Sequence, residues 1–282
     1  MANDRRLTAG GAKQMTNGRE SSETSRKDEF GDLSKGTIRP RTRAIIAGAI
    51  RGVMRLFFGY RIEGQERIPE TGPFILVSNH IANADPILIE IALKRNTHFF
   101  TKKEAFDVPV IGRVAAWTGA FPVDRGAADR KAIRRGLAVL EQGLAVGIFP
   151  EGTRSVNFGL QKGFSGAGMI AVMSGAPVVP AVVTGSERMP GNGKKGKLTA
   201  NLERPDPGHK GVLLQFGEPF VIPRELDGKR VSPEQATDMM MMALARMLPP
   251  GYRGVYADRV AAETDGAGSR EPRAESIGVS SS

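Results

Sequence analysis

Apolar residues fall along this 282-residue chain in short runs separated by polar stretches, and the spacing inside each run predicts an element. Ile45, Ile46, Ile50, Val53, Met54, Leu56, Phe57 and Phe58 recur at helical spacing, which predicts an amphipathic helix over 42–58. Arg43, Arg51 and Arg55, spaced at multiples of four, share another face with Ala47. That cationic side suits an anionic membrane interface, the alternative being a surface helix packed on the protein's own core.

Beyond this helix the pattern alternates. FILVS (74–78), LAVGIF (144–149), PVVPAVVT (177–184) and VLLQF (212–216) have the length and apolar content of buried strands. Segments 98–102 and 120–123 read as further strands, and helices are expected over 85–93, 110–117, 127–142, 164–174 and 232–248. The 85–93 helix opens with Asp85 as N-cap and Pro86 at the first helical position. The last helix opens with a capping box, Ser232 to Gln235, and its run Met239 to Met242 is expected to fill core. Such alternation predicts an α/β fold: a largely parallel or mixed sheet flanked by helices, with the N-terminal amphipathic helix on a membrane surface.

Polar, mixed-charge composition marks residues 1–38 and 259–282 as expected disordered tails, leaving 39–258 as one folded domain without internal repeats. The absence of cysteine excludes disulfides, thiolate metal sites and cysteine nucleophiles, and three histidines argue against a histidine-rich metal centre. A net charge of +10 points to an anionic partner. No zinc-finger spacing, aromatic RNA-binding motif or basic zipper accompanies it, so nucleic acid is not expected. The N-terminus lacks the apolar stretch of a signal peptide, and no window reaches the roughly 18 apolar residues of a spanning helix. The expected location is therefore the cytoplasmic face of a membrane, peripheral or monotopic.

Three polar clusters follow three apolar strands: Asn79-His80 with Asp85, Asp124-Arg125, and Pro150 to Arg154. In open α/β sheets ligands bind beyond the carboxyl ends of strands, so parallel strands would bring all three to one edge. A turn that folds Asp85 back onto His80 would fix the imidazole tautomer and free its second nitrogen as a base. Gly152 lets backbone approach a ligand, while Thr153 and Arg154 offer donors suited to phosphate. Taken singly, the same residues read as a strand-end histidine, an N-cap, a surface ion pair and a polar turn. Two further patterns miss their context: Gly191 to Gly196 matches GxGxxG with no helix after it, and Gly163 to Ala167 lacks the last glycine of a nucleophile elbow.

NHIANAD (79–85), GAFPVDR (119–125), FPEGTRS (149–155) and APVVPAVV (176–183), in this order and at these separations, are similar to four blocks of the lysophosphatidic acid acyltransferase (1-acyl-sn-glycerol-3-phosphate acyltransferase) family. The resemblance implies transfer of a fatty acyl group from an acyl thioester to the free hydroxyl of lysophosphatidic acid, giving phosphatidic acid in phospholipid synthesis. By the same resemblance His80 deprotonates that hydroxyl and Asp85 orients His80. Arg125, Glu151, Gly152, Thr153 and Arg154 would hold the acceptor phosphate, Glu151 by positioning Arg125 or Arg154. Pro180 would shape the site wall, and a groove lined from 106–117 would set chain length. Pro122-Val123 stands where the family often carries bulkier residues, which leaves acceptor preference open. Neither cofactor nor metal is implied; acyl-CoA or acyl-carrier protein would be the co-substrate. The expected partners are a membrane lipid surface, a lyso-phospholipid acceptor and, where it is the donor, acyl-carrier protein. Glycerol 3-phosphate or another lyso-lipid is the alternative acceptor. The rival classes are a lipid hydrolase, in which the pair activates water, and a non-catalytic lipid-binding protein.

Overall fold

Alternation along a strand decides which core each side chain enters. In the computed structural model Phe74–Ser78 sends Ile75 and Val77 to one face of a sheet and Phe74 and Leu76 to the other, all fully buried. Both faces are covered by helices, which is why the strand is a continuous apolar run.

The structure describes residues 26, 29–34, 39–103, 107, 112, 118–123, 130–155, 157–189 and 211–268. Arg125, the loop 191–196 and the terminal stretches 1–25 and 269–282 lie outside the described residues, as do the helix expected over 110–117 and the groove over 106–117 apart from isolated positions.

The strands are β1 (Arg61–Glu63), β2 (Phe74–Ser78), β3 (Thr97–Lys102), β4 (Phe121–Val123), β5 (Ala145–Ile148), β6 (Val178–Thr184) and β7 (Leu213–Phe216). Among the described residues they form one sheet in the order β1-β7-β6-β2-β5-β3-β4. The five from β6 to β4 are parallel; β7 pairs antiparallel with β6, and β1 runs with β7. The sheet is thus mixed but mostly parallel. From β2 the chain moves outward through β3 and β4, returns to β5, then crosses to β6 on the far side of β2. The order reverses around β2, where open α/β sheets place their ligands.

The helices are α1 (Pro40–Phe58), α2 (Asp85–Ala92), α3 (Arg130–Glu141), α4 (Gly166–Ser174), α5 (Pro233–Met247) and α6 (Ala257–Gly268). Helices α3, α4 and α5 cover one face of the sheet, and α1 with α2 the other. The capping box forms as expected, with Ser232 Oγ accepting from Gln235 N and Gln235 Oε1 from Ser232 N. Met240, Met241 and Met242 are buried in the core. Gly168 lets α4 meet α5: a Cβ there would lie 2.0 Å from Pro233 O. A hairpin of β8 (Glu225–Leu226) and β9 (Lys229–Arg230), and the three-residue β1, are too short for a periodic signal.

Three expectations need correction. Helix α1 buries the start of its arginine face, while Arg51 is half-buried and Arg55 exposed. Arg43 and Ala47 are buried, and Arg43 Nη2 pairs with Glu90 Oε1 at 2.6 Å while its guanidinium also donates to the carbonyls of Glu90 and Leu93. Glu90 interrupts the apolar run of α2, and Arg43 compensates its burial. Ile45, Val53, Leu56 and Phe57 are left exposed. Secondly, residues 257–268 form α6 where a disordered tail was expected. Val260 enters the core, and Arg246–Glu263 and Arg259–Asp238 ion pairs fasten the helix to α5. Thirdly, part of the expected N-terminal tail sits on α3. Arg26 and Glu29 pair with Glu141 and Arg134, and Leu33 packs on the core. Among the described residues no helix is long and apolar enough to cross a membrane.

Candidate active site

The polar residues at the ends of β2 and β5 are adjacent because those strands pair directly. Asn79, buried at the end of β2, exchanges two 2.8 Å hydrogen bonds with the backbone of Val183 in β6. This clip fixes where the chain leaves the sheet, and His80 is the next residue.

Asp85 comes back onto His80. Its Oδ2 lies 3.1 Å from His80 Nδ1 and accepts from Ile81 N and Ala82 N, both at 2.7 Å. The expected cap therefore does not form: Ala84 occupies the N-cap position without a side-chain bond, and the Asp85 carboxylate closes the preceding turn instead. Its Oδ1 accepts from Ser186 Oγ at 2.6 Å, and the side chain is 0% exposed. The imidazole stacks on Phe149 with ring centroids 4.3 Å apart. Among the described residues Nδ1 makes the ring's polar contact, so the Nδ1–H tautomer leaves Nε2 for an incoming hydroxyl. The His80 side chain is 12% exposed.

Glu151 turns inward. Its Oε1 accepts from His80 N at 3.1 Å, and its Oε2 accepts from Ser155 Oγ at 2.7 Å and Gln161 N at 2.8 Å. Burial pushes its carboxyl above the usual carboxylate range, opposed by the Gln161, Ser155 and His80 hydrogen bonds. Three donors, two backbone N–H groups and the Ser155 hydroxyl, converge on the buried Glu151 carboxylate, which thereby ties its own loop to His80. Ser155 N adds a 2.7 Å bond to His80 O, so the two loops are tied in both directions. Gly152, with φ +64°, is half-buried beneath the exposed Phe164 ring, Thr153 is exposed and Arg154 half-buried. These three lie on the rim of the loop, while Arg125 lies outside the described residues.

Sequence reasoning missed Ser186, Ser155 and Phe149 as partners of the pair. The signal for Ser186 is a Gly-Ser turn directly after β6, at the same sheet edge as His80. His98 is separate: its Nδ1 bonds Gly119 O at 2.8 Å and burial lowers its basicity. Among the described residues no group of three or more His, Asp or Glu is clustered to hold a metal ion.

A family model described as acyltransferase matches residues 59–184, from the start of β1 to the end of β6. The 1-acyl-sn-glycerol-3-phosphate acyltransferase of Bacillus subtilis is 33% identical over 161 residues, covering 56% of this chain and 79% of that protein. The chain belongs to that family. A chloroplast member from Brassica napus is 31% identical over 56% of this chain and 48% of its own, so the chain spans about half the length of that relative. The crystal structure of the 1-acyl-sn-glycerophosphate acyltransferase from Thermotoga maritima shares the fold, with a TM-score of 0.53 and 22% identity over 81% of this chain and 87% of that one. In this acyltransferase the family match ends at Thr184, two residues before Ser186.

Proposed function

We propose that the protein transfers a fatty acyl group from an acyl thioester to the free hydroxyl of lysophosphatidic acid, forming phosphatidic acid, with His80 as general base. The observation that carries this reading is the buried Asp85 carboxylate on His80 Nδ1, which leaves the outer ring nitrogen accessible. That nitrogen takes the acceptor's hydroxyl proton as the oxygen attacks the thioester carbonyl. The tetrahedral intermediate then collapses, the carbon–sulfur bond breaks, and the imidazolium returns its proton to the departing thiolate. Asp85 stabilises the imidazolium between the two transfers, and such general-base help supplies roughly 10²–10⁴-fold.

The acceptor phosphate is assigned to the rim of Gly152, Thr153 and Arg154, together with Arg125. Glu151 serves that rim from beneath by fixing the loop. The donor is acyl-CoA or acyl-carrier protein; both are acidic and suit a chain of net charge +10. Attachment is peripheral, at the cytoplasmic surface of a membrane, through the outward apolar side of α1. In support, Arg61 and Thr184 both pair with Leu213, so α1 ends at the edge of the sheet where His80 lies. Leu56 and Phe57 on that last turn, and Phe164 beside Gly152, present apolar surface on both sides of the sheet at this edge.

The test is thiol release from palmitoyl-CoA with lysophosphatidic acid, glycerol 3-phosphate or no acceptor, alongside His80→Ala. Release that needs both lysophosphatidic acid and His80 is expected. Release without acceptor would make the protein a hydrolase, and none from either CoA or acyl-carrier protein would leave it a lipid-binding protein.

A further inference from the structure

Asp85 is held by more than the turn it closes. Its Oδ2 collects three donors from its own loop, whereas among the described residues its Oδ1 has Ser186 Oγ, brought in from the other side of β2. Ser186 is fully buried and opens a short 3₁₀ turn, Ser186–Arg188. The turn has little freedom. Gly185 has φ +81°, and a Cβ there would lie 2.1 Å from Gly211 O, so the backbone is packed against the strand entering β7. Tyr252, also fully buried, donates to Glu187 Oε1 at 3.0 Å and accepts from Gly185 N at 3.4 Å. Burial and the Glu187 charge push the phenol above its ordinary value, so it remains a donor. Its carbonyl accepts from Leu160 N at 3.0 Å, one residue before the Gln161 N–H that holds Glu151. A single buried tyrosine therefore braces the turn behind Asp85 and the loop behind His80.

We propose that Ser186 is a positioning residue for the acyl transfer, fixing the plane of the Asp85 carboxylate and through it the orientation of His80. The inference rests on the reading of His80 as general base. A hydroxyl bonded to Oδ1 keeps the carboxylate from rotating about its last bond, so Oδ2 stays on the imidazole. It also draws negative charge towards Oδ1 and away from the oxygen that faces Nδ1. Without it, Oδ1 is a buried acceptor with no donor, and Oδ2 carries more of the charge. The ring is then held less accurately and is more easily protonated. Among the described residues the other charged groups on these loops are Glu151 behind His80 N, Arg154 on the same loop, and Glu187 with Arg188 on the turn itself.

Ser186→Ala, with Ser186→Cys as a same-sized variant bearing a weaker donor, separates this role from simple packing. Thiol release is followed from palmitoyl-CoA with lysophosphatidic acid across pH, with melting curves and the His80→Ala control. In Ser186→Ala, kcat is expected to fall about 10- to 100-fold while KM for both substrates stays within about twofold. The acidic limb of its kcat/KM profile is expected to move to higher pH, with Ser186→Cys in between. An unmoved profile, with activity lost only in proportion to folded protein, overturns the proposal and leaves Ser186 a packing residue. If Ser186→Ala does not fold, the same comparison is read on Ser186→Cys. An active His80→Ala would instead overturn the reading of the base, whatever Ser186 does.

Discussion

Asp85→Asn isolates the carboxylate's charge from its geometry. The amide oxygen can keep the Ile81 and Ala82 N–H groups now bound at 2.7 Å, and the Ser186 hydroxyl can turn to accept from the new amide. The loop should therefore keep its shape, with less than about 2 kcal/mol lost from stability. The imidazolium formed during the reaction loses its counter-charge. At 3.1 Å from His80 Nδ1, and with an effective dielectric constant of about 20, that charge is worth about 5 kcal/mol. The loss corresponds to about 10³–10⁴ in rate. The assay is kcat from thiol release with lysophosphatidic acid and palmitoyl-CoA, beside a melting curve. A folded variant within about tenfold of the parent kcat would refute the reasoning, since no imidazolium could then depend on Asp85.

Three further outcomes follow from the same structure. Glu151→Gln points an amide group at donors that now meet a carboxylate, so it should cost about 1–3 kcal/mol in melting and lower kcat; an unchanged melting curve would mean that Glu151 does not hold the His80 loop. Burial raises the Glu90 carboxyl to about 7 despite Arg43. Its folded value lies above its unfolded one, so its contribution to stability is present at low pH and lost as pH rises through about 7. Glu90→Gln, which cannot ionise, should gain on the parent by on the order of 2–3 kcal/mol between about pH 5 and pH 8, and a difference constant with pH would contradict this. Leu56→Glu with Phe57→Glu changes residues 78% and 70% exposed, so melting should not move. Co-sedimentation with phosphatidylglycerol vesicles should fall about tenfold or more, and unaltered binding would put the membrane contact elsewhere.

The strands buried on both faces were legible because each is an unbroken apolar run: 74–78 is met residue for residue, and 144–149 and 177–184 shorten by one or two residues at their ends. His80 and Asp85 were legible as a pair because strand end and helix start are too close for the carboxylate to go far. Which face of α1 turns inward was not readable from its own residues. Spacing groups Arg43 with Ala47 but does not reveal that Glu90 waits opposite; the sign lay in α2, where one charge interrupts an apolar helix and needs a buried partner. Helix α6 was hidden for a similar reason. Its polar composition matches a tail, and the Arg246 and Asp238 that fasten it belong to another helix. Ser186 escaped because a three-residue turn has no period, and its partner lies 101 residues away.

The burial of the site separates two kinds of residue by what their loss should do. Asp85, Asn79, Glu151 and Ser186 expose at most 1% of their surface; Asn79 is clipped to strand β6, and the other three bond to one another's loops or to the ring. None can meet a substrate while the fold is intact. With His80 as the proposed base, their effect on the reaction passes through its geometry, so their loss should appear in kcat. Thr153, Arg154 and Phe164 stand at the surface of the same loops and can meet an acceptor as it arrives. Contacts made equally in the ground and transition states move KM instead. The sheet enforces this division: β2 and β5 end side by side, so the same short loops carry the buried frame on their inner side and the proposed binding rim on their outer side.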